Sequence, residues 1–235
     1  MSLFGGALRV SGMRLLLVVL ALVPGCTSFT NVRSAQVRPG TSFDLQASFA
    51  SDPGDAAAWL LGNNIDCAQR CGGGILGGEF GVARGFARQS LPFTLGAGVM
   101  GIMPYFEGYV QLAGGERPAG IGARIGIPVS SSRTMGQAYA RFDLPVAGGR
   151  RLLWNPALFY ASGVTSAASA RVTGLVNGVA LQMGNDNTFT PSLAFVLARA
   201  QHDFVSVREG PAVTRFVAAG LRVAFGRSKP AAVSR

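Results

Sequence analysis

The chain has 235 residues, with 21 Lys+Arg against 11 Asp+Glu, and every basic residue except Lys229 is an arginine. Only 14% of residues are charged, against roughly 25% in ordinary soluble domains, while 33 are glycine, about twice the usual share. The arginines are scattered singly instead of clustering on one element, which argues against nucleic acid and for an anionic lipid or lipopolysaccharide headgroup layer as the partner of the positive charge.

The first element is a targeting segment. Leu15 to Val23 is an unbroken apolar run behind Arg9 and Arg14. It has about half of the ~20 residues that a membrane-spanning helix needs, and it fits the short apolar stretch of a secretory signal peptide. "LVPGC" resembles the lipobox of bacterial lipoproteins. That resemblance implies removal of residues 1–25, acylation of Cys26 as the new first residue and, with Thr27 following in place of Asp, sorting to the outer membrane. The alternative is an ordinary signal peptide with a bystander cysteine. Residues 26–40, ending in "RPG", read as a polar, lipidated tether.

From residue 41 the pattern changes. Stretches of about ten residues with period-2 character recur between Gly/Pro/Asn/Asp/Ser clusters, the signature of strands and turns. "TSFDLQASF" sets Phe43, Leu45, Ala47 and Phe49 on one face, and "GIGARIGIP" sets Ile121, Ala123, Ile125 and Ile127 against Gly122, Arg124 and Gly126. "GQAYARFDL" alternates in the same way, as does "RFVAAGLRVAF" near the end. Ten strands are expected near 41–50, 78–87, 92–100, 104–112, 120–128, 136–145, 151–162, 171–183, 189–201 and 214–226. The short step at 101–103 leaves eight as the alternative.

A hydrophobic chain with no long apolar run has dispersed its apolar residues in alternation, as transmembrane β-barrels do. The expected fold class is all-β, an antiparallel up-and-down transmembrane barrel over 41–226, with a long 51–77 loop and a basic tail at 227–235. Alternation alone fits a water-soluble barrel equally, with the faces reversed. The scarcity of charge and the abundance of Gly and Ala on the second face favour the membrane. Gly220, Val223 and Phe225 resemble the C-terminal insertion signal of outer-membrane barrels, which implies recognition by the barrel-assembly machinery. An even strand count returns the chain to its starting side, with "AGGR" at 147–150 and "GNDN" at 184–187 as tight turns there. Anchored through Cys26, that side is expected to face the periplasm.

The candidate site is a set of lumen charges: Glu107, Arg124, Arg141 and Asp143 on three successive strands, joined by Arg222 and, from elsewhere on the wall, Arg84 and Arg199. Opposite charges on neighbouring strands ~4.8 Å apart can pair across the ladder. The structural reading is a salt-bridge plug closing a narrow lumen; the functional one is a polar constriction selecting a small solute. Cys67 and Cys71 are expected to form a disulfide in an oxidising compartment, since no histidine or third cysteine lies near to complete a zinc site. His202, the only histidine, has Asp203, Ser206 and Glu209 nearby, but residues 202 and 206 of one strand are ~13 Å apart, too far for a catalytic hydrogen bond.

Taken together, the expectation is a non-catalytic, lipid-anchored outer-membrane barrel with a structural, surface-binding or narrow-conduit role, and no cofactor or metal. The alternatives are a soluble periplasmic carrier barrel on a tether, like lipocalins, with Phe43, Phe106, Ile125, Phe142 and Val223 pointing inward, and a lipid-modifying enzyme using His202.

Overall fold

The structure, a computed structural model, describes residues 30–51, 75–101, 103–127, 133–164, 168–183, 188–204 and 212–226. Ten strands form β1 (Gly40–Ala50), β2 (Ile75–Phe86), β3 (Phe93–Met100), β4 (Met103–Ala113), β5 (Ala119–Gly126), β6 (Arg133–Pro145), β7 (Arg151–Val164), β8 (Ala168–Gln182), β9 (Thr188–Phe204) and β10 (Ala212–Gly226). Each pairs antiparallel with its neighbours in chain order, and β1 pairs with β10 to close a barrel. The expected all-β, up-and-down architecture is the one observed, with ten strands and not eight. The deciding hairpin is β3–β4, where Met100 faces Met103 and Gly101 adopts φ 60°, a left-handed conformation that costs glycine little. Residues 1–29, the Cys67–Cys71 pair and the 227–235 tail lie outside the described residues.

The barrel has two unlike ends. At the lower one β1 begins, β10 ends, and the connections 87–92, 114–118, 146–150 and 183–187 are all short. The upper end carries the long 51–74 connection as well as 101–102, 127–132, 165–167 and 205–211. Strands β7 to β10 are the longest, so one side of the wall stands taller than the β3–β5 side. The strands tilt. Starting at Asp44 and stepping through paired residues in chain order leads to Val172, Ala200 and Ala212, which lies above Ala218, the partner of Ala50 at the top of β1. Such a climb is the stagger that closing a sheet into a barrel requires.

The two faces are sorted by polarity, and the apolar one is outside. On β5, Ile125 is 64% exposed while Arg124 beside it is 1% exposed. Phe43, Phe106, Leu158, Leu175, Phe195 and Phe225 also project from the outer wall. Asp44, Gln46, Glu79, Glu107, Arg141 and Asp143 are buried inside. An inward-facing apolar lining, which a carrier barrel requires of Phe43, Phe106 and Ile125, is therefore not what this wall presents.

The largest departure from the sequence-based expectation concerns residues 30–39. These read as part of a tether outside the fold, yet Thr30, Val32, Arg33, Ala35 and Val37 are buried within the barrel. From Gly40 at the lower rim, the chain traced backwards climbs the lumen and reaches the level of Gln46, Ser192 and Gly220 at Thr30. The segment is a plug.

Candidate functional site

The plug forms no strand with the wall, so its backbone groups need other partners. Wall side chains supply them. Asn155 on β7 donates to the Arg33 carbonyl at 3.3 Å, and Tyr109 on β4 donates to the Ala35 carbonyl at 2.7 Å. The Ala35 amide donates to Asp143 Oδ1 on β6 at 2.7 Å, and the Val37 amide donates to Gln111 Oε1 on β4 at 2.7 Å. Gln46 on β1 donates to the Thr30 hydroxyl at 2.7 Å, and Ser34 donates its hydroxyl to Asp143 Oδ2. With Ser192 on β9, which donates to the Thr30 carbonyl at 3.4 Å, five strands grip one irregular segment.

At its centre Arg33 acts as a three-way pin. Its guanidinium meets Asp44 on β1 at 3.0 Å, Glu79 on β2 at 2.8 Å and Glu107 on β4 at 2.8 Å. Arg124 on β5 reaches across to the same two glutamates, with Nη1 2.8 Å from Glu79 and Nη2 2.9 Å from Glu107. Glu107 further accepts from Arg141 and from the Tyr139 hydroxyl, both on β6. Arg222 on β10 closes the ring onto Asp44 at 3.4 Å. Four buried guanidiniums therefore face Asp44, Glu79 and Glu107 in alternation, and each carboxylate serves at least two of them. A charge taken out of water is tolerated only when it is paired and hydrogen-bonded in this way.

Aromatic rings and missing side chains complete the packing. The Arg124 guanidinium lies 4.1 Å from the Tyr105 ring centre, and that of Arg141 lies 4.5 Å from both Tyr109 and Tyr139. These cation–π contacts cover the flat faces that the carboxylates leave free. The rings need room, and glycines on adjacent strands provide it. A side chain at Gly98 would strike Tyr105, one at Gly120 would strike Tyr109, and one at Gly122 would strike Tyr139. Gly178 and Gly220 likewise make space for Val32 and Thr30 of the plug. These close approaches account for part of the unusual glycine content.

Of the expected lumen charges, Glu107, Arg124, Arg141, Asp143 and Arg222 all point inward. They do not form one cluster. Glu107, Arg124 and Arg141 share the central knot, Arg222 joins it through Asp44, and Asp143 sits lower, holding Ser34, Ala35 and Arg151. Arg84 and Arg199 do not belong to the lumen. Both are exposed on the outer wall, since Arg84 shares a face with Phe80, and Arg199 with Phe195 and Leu197. The residues that complete the knot, Arg33, Asp44 and Glu79, lie outside the expected set. Parity exposes Asp44 and Glu79, because each alternates with an outward phenylalanine; Arg33 has no such signal. Gly220 faces the plug while Phe225 faces outward, so the two ends of the suggested insertion signal lie on opposite faces. His202 lies in β9 opposite Ala170, and Ser206 and Glu209 are outside the described residues.

No protein-family model matches the chain, and no curated protein is significantly similar to it.

Proposed function

We infer that this protein is a bilayer-spanning barrel sealed by its own N-terminal segment, with a non-catalytic role in the outer membrane. The observation that carries the reading is the inverted polarity of the wall. A band of Phe, Leu and Ile faces outward all round, which in water would expose far more contiguous apolar surface than soluble monomers carry. A bilayer asks for that arrangement, with small and polar residues turned inward. Every described buried carboxylate of the lumen is occupied by arginine, which suits a fixed structural plug better than a chemical centre. A lipid on Cys26 belongs to the same reading. Among the roles open to such a barrel, a structural or lipid-facing one fits a filled lumen better than a standing conduit.

The test is cysteine labelling of intact membranes in a Cys67/Cys71-free background, comparing Ile125→Cys on the outer wall with Ser48→Cys, a near-isosteric change on the inner wall. The expected result is reaction of position 125 with a lipid-phase probe and protection of position 48 from it. Free reaction of position 125 with a membrane-impermeant, water-soluble probe would overturn the reading.

A further inference from the structure

The outer wall of β8–β10 carries three arginines, Arg171, Arg199 and Arg215, all exposed. They sit near the upper ends of their strands, and their register places them together. Arg171 faces Gln201, two places above Arg199 on β9; Arg199 faces Val213, two places above Arg215 on β10. Neighbours on such a diagonal are ~7–8 Å apart. Pairing in chain order climbs the wall, so stepping down at each strand keeps the three near one height. In the lumen the arginines are matched by carboxylates; among the residues whose side chains are described no carboxylate pairs with these three, and Asp203, two places above Gln201 on β9, stands on the diagonal of Arg171 alone.

Directly beneath the row is a groove of about 460 Å³ on the outer wall, lined by Leu175, Asn177, Phe195, Leu197, Arg215 and Val217. Its lining is apolar apart from Asn177 at one side and Arg215, which belongs to both the groove and the row. Three cations above an apolar channel have the polarity of an anionic lipid, headgroup up and chain down. An arginine on the lipid face is tolerated near the interface and not at the midplane, so the row also marks the headgroup level of the upper leaflet. The lower connections are uniformly short and the longest connection is at the upper end, the pattern in which the upper end faces outward from the cell. The row spans two such diagonal steps, about 15 Å, which is wider than a single phosphate.

We propose that Arg171, Arg199 and Arg215, with the Leu175–Phe195–Val217 groove below them, form a binding site for a diphosphorylated glycolipid of the outer leaflet, one acyl chain lying in the groove. The proposal rests on the membrane-spanning reading and names the lipid that this face of the barrel holds.

The experiment is native mass spectrometry of the full-length protein purified from membranes in mild detergent, followed by titration of the delipidated protein with diphosphorylated glycolipid, its monophosphorylated form and cardiolipin. Wild type is expected to retain the diphosphorylated glycolipid. Arg199→Ala/Arg215→Ala is expected to bind it about thirtyfold more weakly, from two cations near an anionic surface. Arg84→Ala, on the outer wall at the opposite end, is expected to bind as wild type does. Arg199→Lys/Arg215→Lys, which keeps the charge, separates loss of binding from loss of fold by retaining most of the affinity. Equal binding by wild type and the alanine variant, or preference for cardiolipin, overturns the site. Failure of the spanning reading would show differently, as free reaction of Ile125→Cys in intact membranes with a membrane-impermeant, water-soluble probe.

Discussion

Arg33 and Arg124 share the same two carboxylates: each guanidinium contacts both Glu79 and Glu107 at 2.8–2.9 Å. One arginine comes from the irregular plug and the other from β5. The plug is thereby wired into the wall as though it were another strand, with ion pairs in place of a backbone ladder.

Glu107 is the most heavily used member, accepting from Arg33, Arg124, Arg141 and Tyr139. Glu107→Gln keeps the shape and removes the charge, leaving three buried guanidiniums short of a partner. Breaking a buried pair in this way typically costs about 3–5 kcal/mol. Urea unfolding of the detergent-solubilised barrel is expected to show a loss of that size. A change below about 1 kcal/mol, the scale of an exposed ion pair, would mean that water reaches the knot.

Removing the pin tests the seal. Wild type is expected to be electrically silent in planar bilayers, Arg33→Ala to show intermittent openings, and deletion of residues 30–38 to conduct steadily. Heat-modifiable gel migration would verify that each variant is folded. A folded deletion variant that stays silent would show that the wall side chains close the lumen without the plug.

Gly220 on β10 faces Thr30 so closely that any side chain there would collide with it. Gly220→Val is expected to lower the yield of folded barrel, and Thr30→Gly in the same chain to recover part of it by vacating the space. Measured by folded-to-unfolded band ratio, rescue assigns the defect to the plug contact. Failure to rescue would place it in strand pairing or in recognition of β10 during insertion.

Ile125 offers the converse test on the outer wall. Ile125→Arg is expected to destabilise the inserted barrel measurably, by at most about 2–4 kcal/mol, the penalty for a cation on the lipid face at the midplane. Ile125→Leu is expected to be nearly silent. An arginine tolerated as well as leucine, in unfolding titrations from liposomes, would mean that position 125 faces water.

The strands were legible because a barrel wall imposes period 2 wherever its two faces meet different solvents, as at Arg124 and Ile125. Parity also carried information about Arg84 and Arg199. Arg84 lies an odd number of residues from Glu79, and Arg199 an even number from Phe195, so both share the outward face. Segment 30–39 was not legible for a physical reason. An irregular chain whose polar groups are satisfied by side chains from β1, β4, β6, β7 and β9 has no period of its own, and its residues resemble those of a solvated linker. Nothing local to Arg33 announces that its partners stand at positions 44, 79 and 107.

The plug also touches both sides of the seam. Thr30 bonds to Gln46 on β1 and Ser192 on β9, and packs where Gly220 on β10 leaves room. The first elements to leave the ribosome are thus completed only by the last. Until β10 has been made, Asp44 lacks Arg222 and β1 and β9 are open edges ready to pair with other chains. Contacts separated by nearly the whole sequence make folding late and slow, so the chain must be kept from associating until synthesis is finished. A product truncated before residue 212 would not be a smaller barrel but an unclosed sheet with unmatched charge, suited to removal by proteolysis.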